Sequence, residues 1–342
     1  MNPDAFAIDA AMRSEVVVGL LRHLRAYHVY PDVAEEIVRA IGRHMDDGDY
    51  ETITDAAVLC DLLTVHVQES GYDKHLLVRY NAEPRPMGET ANVFDDPGFL
   101  ERMRLSDVVR NYGFERVERL RGNIGYLDLR GFAPLEWRGC GDTAAAAMTF
   151  LANTSALIID VRNNGGGGAG MVDFLCSYLL PAVPEHTIHL IDFHYRDRLE
   201  QHRTFPHVPG PRYADKPVYV LTSERTISAG EAFAYILQGS KRATIVGETT
   251  AGAATLVGQY QINAHFFAFI PDGYVVVPST GGNWQGHGVQ PDLTVLREES
   301  IQVAHMAALN RVLETLDSTM DIARVARKEA SKALVEIGQR AP

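Results

Sequence analysis

From about residue 113 onward, short apolar runs alternate with stretches of helical character, and this alternation limits the fold more than any other feature of the chain. GNIGYLDLRGF is followed by a helical stretch over about Thr143 to Asn153, and then by ALIIDVR. MVDFLCSYLL reads as helix, PVYVLTS as a buried strand, AGEAFAYILQGS as helix and ATIVGE as strand. Such strand and helix alternation predicts an α/β core with a largely parallel sheet. FFAFI, YVVVP and LTVLR supply further strands, and the run from Glu299 to Gly338 is predicted to be helical, either as a cap or at an oligomer contact.

The N-terminal part has a different period. Val17, Leu20, Leu21 and Leu24 recur at helical spacing, as do Val33, Ile37, Ile41 and Met45 after Pro31. A third helix is expected from about Ile53 to Glu69, stopped at Ser70-Gly71. YDKHLLVRY then reads as a turn leading into a short strand. The predicted organisation is a helical domain over 1–80, a connection over 81–112, an α/β core over 113–298 and a C-terminal helical segment over 299–342.

Composition removes several classes. The 342 residues carry 32 Lys and Arg against 44 Asp and Glu, a net charge of -12 that repels phosphate backbones and anionic lipid heads. No nucleic-acid or membrane partner is expected. The first thirty residues lack a basic start, a long apolar run and a cleavage site, and the three cysteines suit a reducing compartment, so a cytoplasmic location is expected. Cys60, Cys140 and Cys176 share no metal-type spacing, and no H-E-x-x-H pattern is present, so neither cofactor nor metal is called for.

Ser228 follows a buried strand and opens a helix, where free N–H groups and the helix dipole favour developing negative charge. The same residue, with Glu231 three positions on, also fits an ordinary capping box. DVRNNGGGGAG, residues 160–170, places four glycines at a strand end, where backbone amides can face a ligand; it lacks the Lys-Ser/Thr of a phosphate loop. For a base, His75 stands at a turn-to-strand junction, with His265 and His287 as alternatives.

Four motifs occur together: GFERVERLRGNIGYLDLRGF, LIIDVRNNGGGG, VLTSERTISAGEAFAY with IVGETTAGA, and NWQGHGVQPDLTV. In order and spacing they resemble the tail-specific, or C-terminal processing, serine protease family, nearest its branch of interphotoreceptor retinoid-binding protein modules. The resemblance implies a crotonase-like (ClpP/crotonase) α/β core with a helical N-terminal domain and no PDZ insert. It implies Ser228 as nucleophile, and the amides of Gly165, Gly166, Gly167 and Ala229 as oxyanion hole. His75 matches the family's histidine, with Asp73 as the acidic residue before it. The lysine of the processing branch falls on Ala253, and the expected glutamate of the NWEG-type motif is Gln285, which hydrogen-bonds but carries no charge. Glu231, Glu248 and Asp73 are candidate supporting acids.

The implied activity is hydrolysis of peptide or peptide-like amides through an acyl-enzyme, with no cofactor. Gln285 keeps two alternatives open: a binding protein for small apolar ligands on a retired hydrolase scaffold, and a non-proteolytic acyl hydrolase or transferase.

Overall fold

The computed structural model describes residues 6–85, 92, 94, 96–183, 186–316 and 320–338. The chain divides into two compact units. The first comprises Met1–Met103, Phe193–Glu200 and Thr255–Val275; the second comprises Arg104–Asp192, Gln201–Ala254 and Val276–Pro342. Part of the connection read over 81–112, namely 86–91, 93 and 95, lies outside the described residues.

In the first unit, α1 (Ala10–Tyr27), α2 (Pro31–Asp46) and α3 (Ala56–Gly71) follow one another. Their starts are set locally: the Asp9 carboxylate accepts from Met12 N–H, Pro31 opens α2, and Asp55 accepts from the amides of Ala57 and Val58. The apolar stripes seen in the sequence bury Leu20, Leu24, Ile37, Ile41, Leu59 and Leu63. Each such side chain contributes about 1.5–3 kcal/mol on burial. They pack on one face of β10 (Phe266–Val276), which turns Phe266, Ala268 and Ile270 inward; this accounts for HFFAFI as a core strand.

That strand pairs antiparallel with β1 (Leu77–Tyr80) and with β9 (Thr255–Gln261), matching Leu77 to Phe269 and Thr255 to Tyr274. The hairpin β5 (His189–Tyr195) and β6 (Leu199–Arg203) completes the sheet order β1-β10-β5-β6. FFAFI and YVVVP are therefore one strand, with a register shift between Pro271 and Gly273 where the sequence suggests a break. α3 ends on Tyr72 in the left-handed region, φ 51, and this reversal delivers Asp73 and His75 before β1.

The second unit holds the expected α/β core. Its sheet has the order β11-β8-β7-β4-β3-β2, from β2 (Phe114–Leu120), β3 (Ile124–Leu129), β4 (Ala156–Asp160), β7 (Val218–Thr222), β8 (Thr244–Gly247) and β11 (Leu293–Thr294). All neighbours are parallel except β2 with β3. β4 and β7 are buried throughout, since alternate residues serve opposite faces. Ala156, Ile158, Tyr219 and Leu221 pack against Ala304, Ala308 and Leu309 of α8 (Ser300–Thr315), with α9 (Asp321–Gly338) behind. α5 (Cys140–Leu151), α6 (Ala169–Leu179) and α7 (Ala229–Gly239) supply the remaining helices, and α4 (Pro97–Val109) lies in the connection with no side chain buried. All three cysteines are free and buried, and burial pushes the thiols of Cys60 and Cys140 up to about 12, which removes them as nucleophiles. Among the described residues, no helix is long and apolar enough to cross a membrane.

Candidate active site

Ser228 lies in the turn that runs from the end of β7 into α7. Its backbone has φ 58 and ψ -122, whereas an ordinary N-cap is extended. A non-glycine residue held there stores about 1–3 kcal/mol, so the surroundings must enforce it. Glu231, with 0% of its surface exposed, does so. Its Oε2 accepts from the N–H of Ser228 (2.9 Å) and of Ala253 (3.0 Å), and its Oε1 from Gly252 N–H (2.6 Å) and the Thr250 hydroxyl (2.5 Å). Burial pushes its carboxyl above the usual range, and these donors pull back toward the charged form. With four donors its lone pairs are engaged, so Glu231 anchors the turn.

The glycine loop packs directly against this serine. A side chain at Gly166, φ 93, would stand 2.8 Å from Ser228 Cβ, and one at Gly167, φ 135, would meet the Phe132 carbonyl oxygen at 2.1 Å. Only glycine fits either place. The four expected oxyanion amides divide into two pairs. Gly165 N–H donates to the Arg130 carbonyl (3.2 Å) and Gly166 N–H to Asn164 Oδ1 (2.9 Å), so both are engaged in holding the loop. Gly167 sits between the Phe132 N–H to Gly166 carbonyl and Gly168 N–H to Phe132 carbonyl bonds, with its own N–H outside that pairing. Ala229 N–H, at the first position of α7, lacks an intrahelical acceptor.

Asn164 is a residue the sequence reading passed over. Fully buried, it donates from Nδ2 to the Leu129 carbonyl (2.9 Å), and its own carbonyl accepts from Ile227 N–H (3.2 Å), immediately before Ser228. Asn164 thus ties β3 to the glycine loop through its side chain, and the serine turn to both through its backbone carbonyl. Asp160 and Arg162 brace the loop from the other side. Burial alone would raise the Asp160 carboxyl, but bonds from Arg162 and from the Tyr126 hydroxyl (2.7 Å) bring it below the usual range.

Gln285 connects to the same network through the 250–254 segment: its Oε1 accepts from Ala254 N–H (2.6 Å), while Trp284 Nε1–H donates to the Ala253 carbonyl (3.1 Å). Ala253, where the resemblance would put a lysine, is wholly buried. Glu248 stands apart, accepting from Arg297 N–H at 3.1 Å.

In the first unit, Asp73, His75 and Thr255 form a relay. Asp73 Oδ1 accepts from His75 N–H (2.8 Å), Thr255 Oγ1 donates to Asp73 Oδ2 (2.7 Å), and His75 Nδ1 lies 2.9 Å from that same Oγ1. The carboxylate can only accept, so the threonine proton goes to Asp73 and Thr255 Oγ1 accepts from His75 Nδ1–H. That fixes the tautomer and leaves Nε2 with its lone pair, the form a general base needs. Burial holds the His75 pKa below its ordinary value of 6.5, with Asp73 opposing. Thr255 was invisible in the sequence, because nothing local marks it. The other histidines are committed elsewhere: His265 Nδ1 to the Asn81 carbonyl, with its ring on Phe6, and the exposed His287 to the Gln285 carbonyl.

A strained serine at a helix N-terminus beside a glycine loop sets a hydroxyl next to backbone amides, an arrangement suited to nucleophilic attack with oxyanion stabilisation. The chain belongs to peptidase family S41, which it matches over residues 123–295; residues 10–109 match the N-terminal domain of peptidase S41 in eukaryotic IRBP. The resemblance read from the four motifs is thereby borne out. A carboxyl-terminal-processing protease of Synechocystis sp. is 31% identical over 145 residues, covering 41% of this chain and 31% of that relative. The chain therefore spans under a third of that protein's length. Two solved structures share the fold: a lipoprotein from Streptococcus agalactiae (TM-score 0.55, 14% identity, 90% of this chain and 99% of that one), and a candidate peptidase from Parabacteroides merdae (TM-score 0.53, 17% identity, 85% and 95%).

Proposed function

We propose that this chain is a serine peptidase that cleaves peptide or peptide-like amides through an acyl-enzyme on Ser228. The observation that carries the reading is the serine's enforced backbone, φ 58, at the mouth of α7 beside Gly166. In the proposed reaction His75 Nε2 takes the Ser228 proton as Oγ attacks the carbonyl carbon. The N–H groups of Gly167 and Ala229 receive the oxyanion, while Gly165 and Gly166 hold the loop in register. The histidine returns the proton to the leaving amine; water, deprotonated by the same Nε2, then attacks the acyl carbon, and the histidine gives that proton to Ser228 Oγ as the C–Oγ bond breaks and the acid leaves. Asp73 and Thr255 orient the histidine, and the Asp73 charge supports the imidazolium across the threonine.

The finer structural reading is a crotonase-like core without a PDZ insert. It is supported by the link between β1 and β2, which shows one α-helix, a short 3-10 turn and no sheet among its described residues. The three unpaired thiols support a cytoplasmic site of action.

Thr255→Val is expected to lower kcat by roughly 10²-fold with little change in KM, because the ring loses the acceptor that fixes its tautomer. The pH–rate profile carries a second expectation. His75 must be neutral to act, and its pKa is depressed, so the acid limb should fall below the ordinary 6.5. Asp73→Asn removes the charge that raises that pKa and should move the limb lower still. A limb at or above the ordinary histidine value would remove His75 as the base. Gln285→Glu keeps the acceptor for Ala254 N–H and adds charge, so a several-fold rise in turnover is expected from steady-state kinetics.

A further inference from the structure

We propose that His44, Asp49 and His66 form a binding site for a divalent transition metal of the zinc type, within the helical unit and separate from the serine chemistry. His44 lies in the last turn of α2, Asp49 in the turn that follows, and His66 on α3. One ligand atom from each lies within 4.8 Å of the others. A tetrahedral metal with bonds of about 2.0–2.1 Å needs its ligand atoms about 3.3 Å apart, a closure that side-chain rotation supplies.

The chemistry of the donors selects the ion. Two imidazoles and one carboxylate suit zinc and its neighbours, whereas calcium and magnesium require oxygen cages. The supporting contacts resemble those that prepare a histidine ligand. His66 Nδ1 lies 2.8 Å from the Tyr50 hydroxyl; with Nδ1–H donating there, Nε2 keeps its lone pair for a metal. His44 Nδ1 is 2.6 Å from Asp49 Oδ2, which brings the carboxylate to the ring in advance. The two rings lie parallel, with centroids 3.6 Å apart, which keeps the histidines of the two helices together. His66 is buried, His44 half-buried and Asp49 exposed, so the cluster is anchored at its base and open to solvent at its rim. The exposed Asp49 gives an ion a path in.

Such an ion ties the end of α2 to α3, the helix that leads into Asp73 and His75. The sequence gives no warning, since the ligands come from two helices and a turn with no compact motif.

The test uses the full chain, stripped with EDTA and titrated with Co²⁺. Tetrahedral visible absorption that Zn²⁺ displaces is expected, with a Tm rise of about 5 °C at a hundredfold excess of Zn²⁺ over Kd. His44→Gln and Asp49→Asn change side chains at the rim and leave the core intact; each is expected to weaken Co²⁺ binding at least about 10-fold without altering labelling of Ser228. Folded protein with no cobalt absorption would overturn the site. So would absorption of unchanged affinity in both variants, which would put the ion on others of the 13 histidines.

Discussion

Ser228→Ala is expected to reduce kcat on a cleavable peptide by roughly 10⁴–10⁶-fold while leaving substrate binding largely intact. Without Oγ no acyl-enzyme forms, and the loop amides with bound substrate leave only residual rate. A companion variant separates this reading from a simple helix cap. Ser228→Gly abolishes turnover equally, but relieves a backbone that only glycine adopts freely, so it should stabilise the fold by about 1 kcal/mol. An N-cap serine of ordinary geometry would instead lose a few tenths of a kcal/mol on the same change. The sign of the shift in urea denaturation decides between the two.

Glu231→Gln is expected to cost about 2–4 kcal/mol of stability, together with most of the activity. The carboxylate accepts four bonds; the amide keeps one acceptor oxygen and turns an NH₂ toward two donors. The Thr250 hydroxyl can reverse, but Gly252 N–H cannot, so at least one buried donor is left without a partner. The strained turn then loses part of what enforces it. A urea midpoint close to that of the unmodified protein would show that the anchor is dispensable.

The strands of the parallel sheet were legible because both of their faces are covered, which forces continuous apolar runs such as ALIID and VYVLT. The three N-terminal helices were legible for the opposite reason, one buried face each. Ser228 stood out by its place between strand and helix, but S-x-x-E spells cap and nucleophile alike. The reading as nucleophile is a proposal that rests on a backbone angle imposed by Glu231 and by Asn164, and no spacing encodes it. Thr255 and Asp73 meet only through the pairing of β9 with β10 and the left-handed stop at Tyr72, so a local reading had no access to their relay with His75. The β5–β6 hairpin, whose residues are half-buried or exposed over much of its length, lacks the apolar run that announces a strand.

The most direct test of Ser228 as an activated nucleophile is treatment of the folded protein with a fluorophosphonate, followed by mass spectrometry of the peptides. The expected result is a single adduct on Ser228, much slowed in His75→Ala. Folded protein that stays unlabelled after long exposure, or labelling of Ser228 at the same rate without His75, would contradict the proposed chemistry.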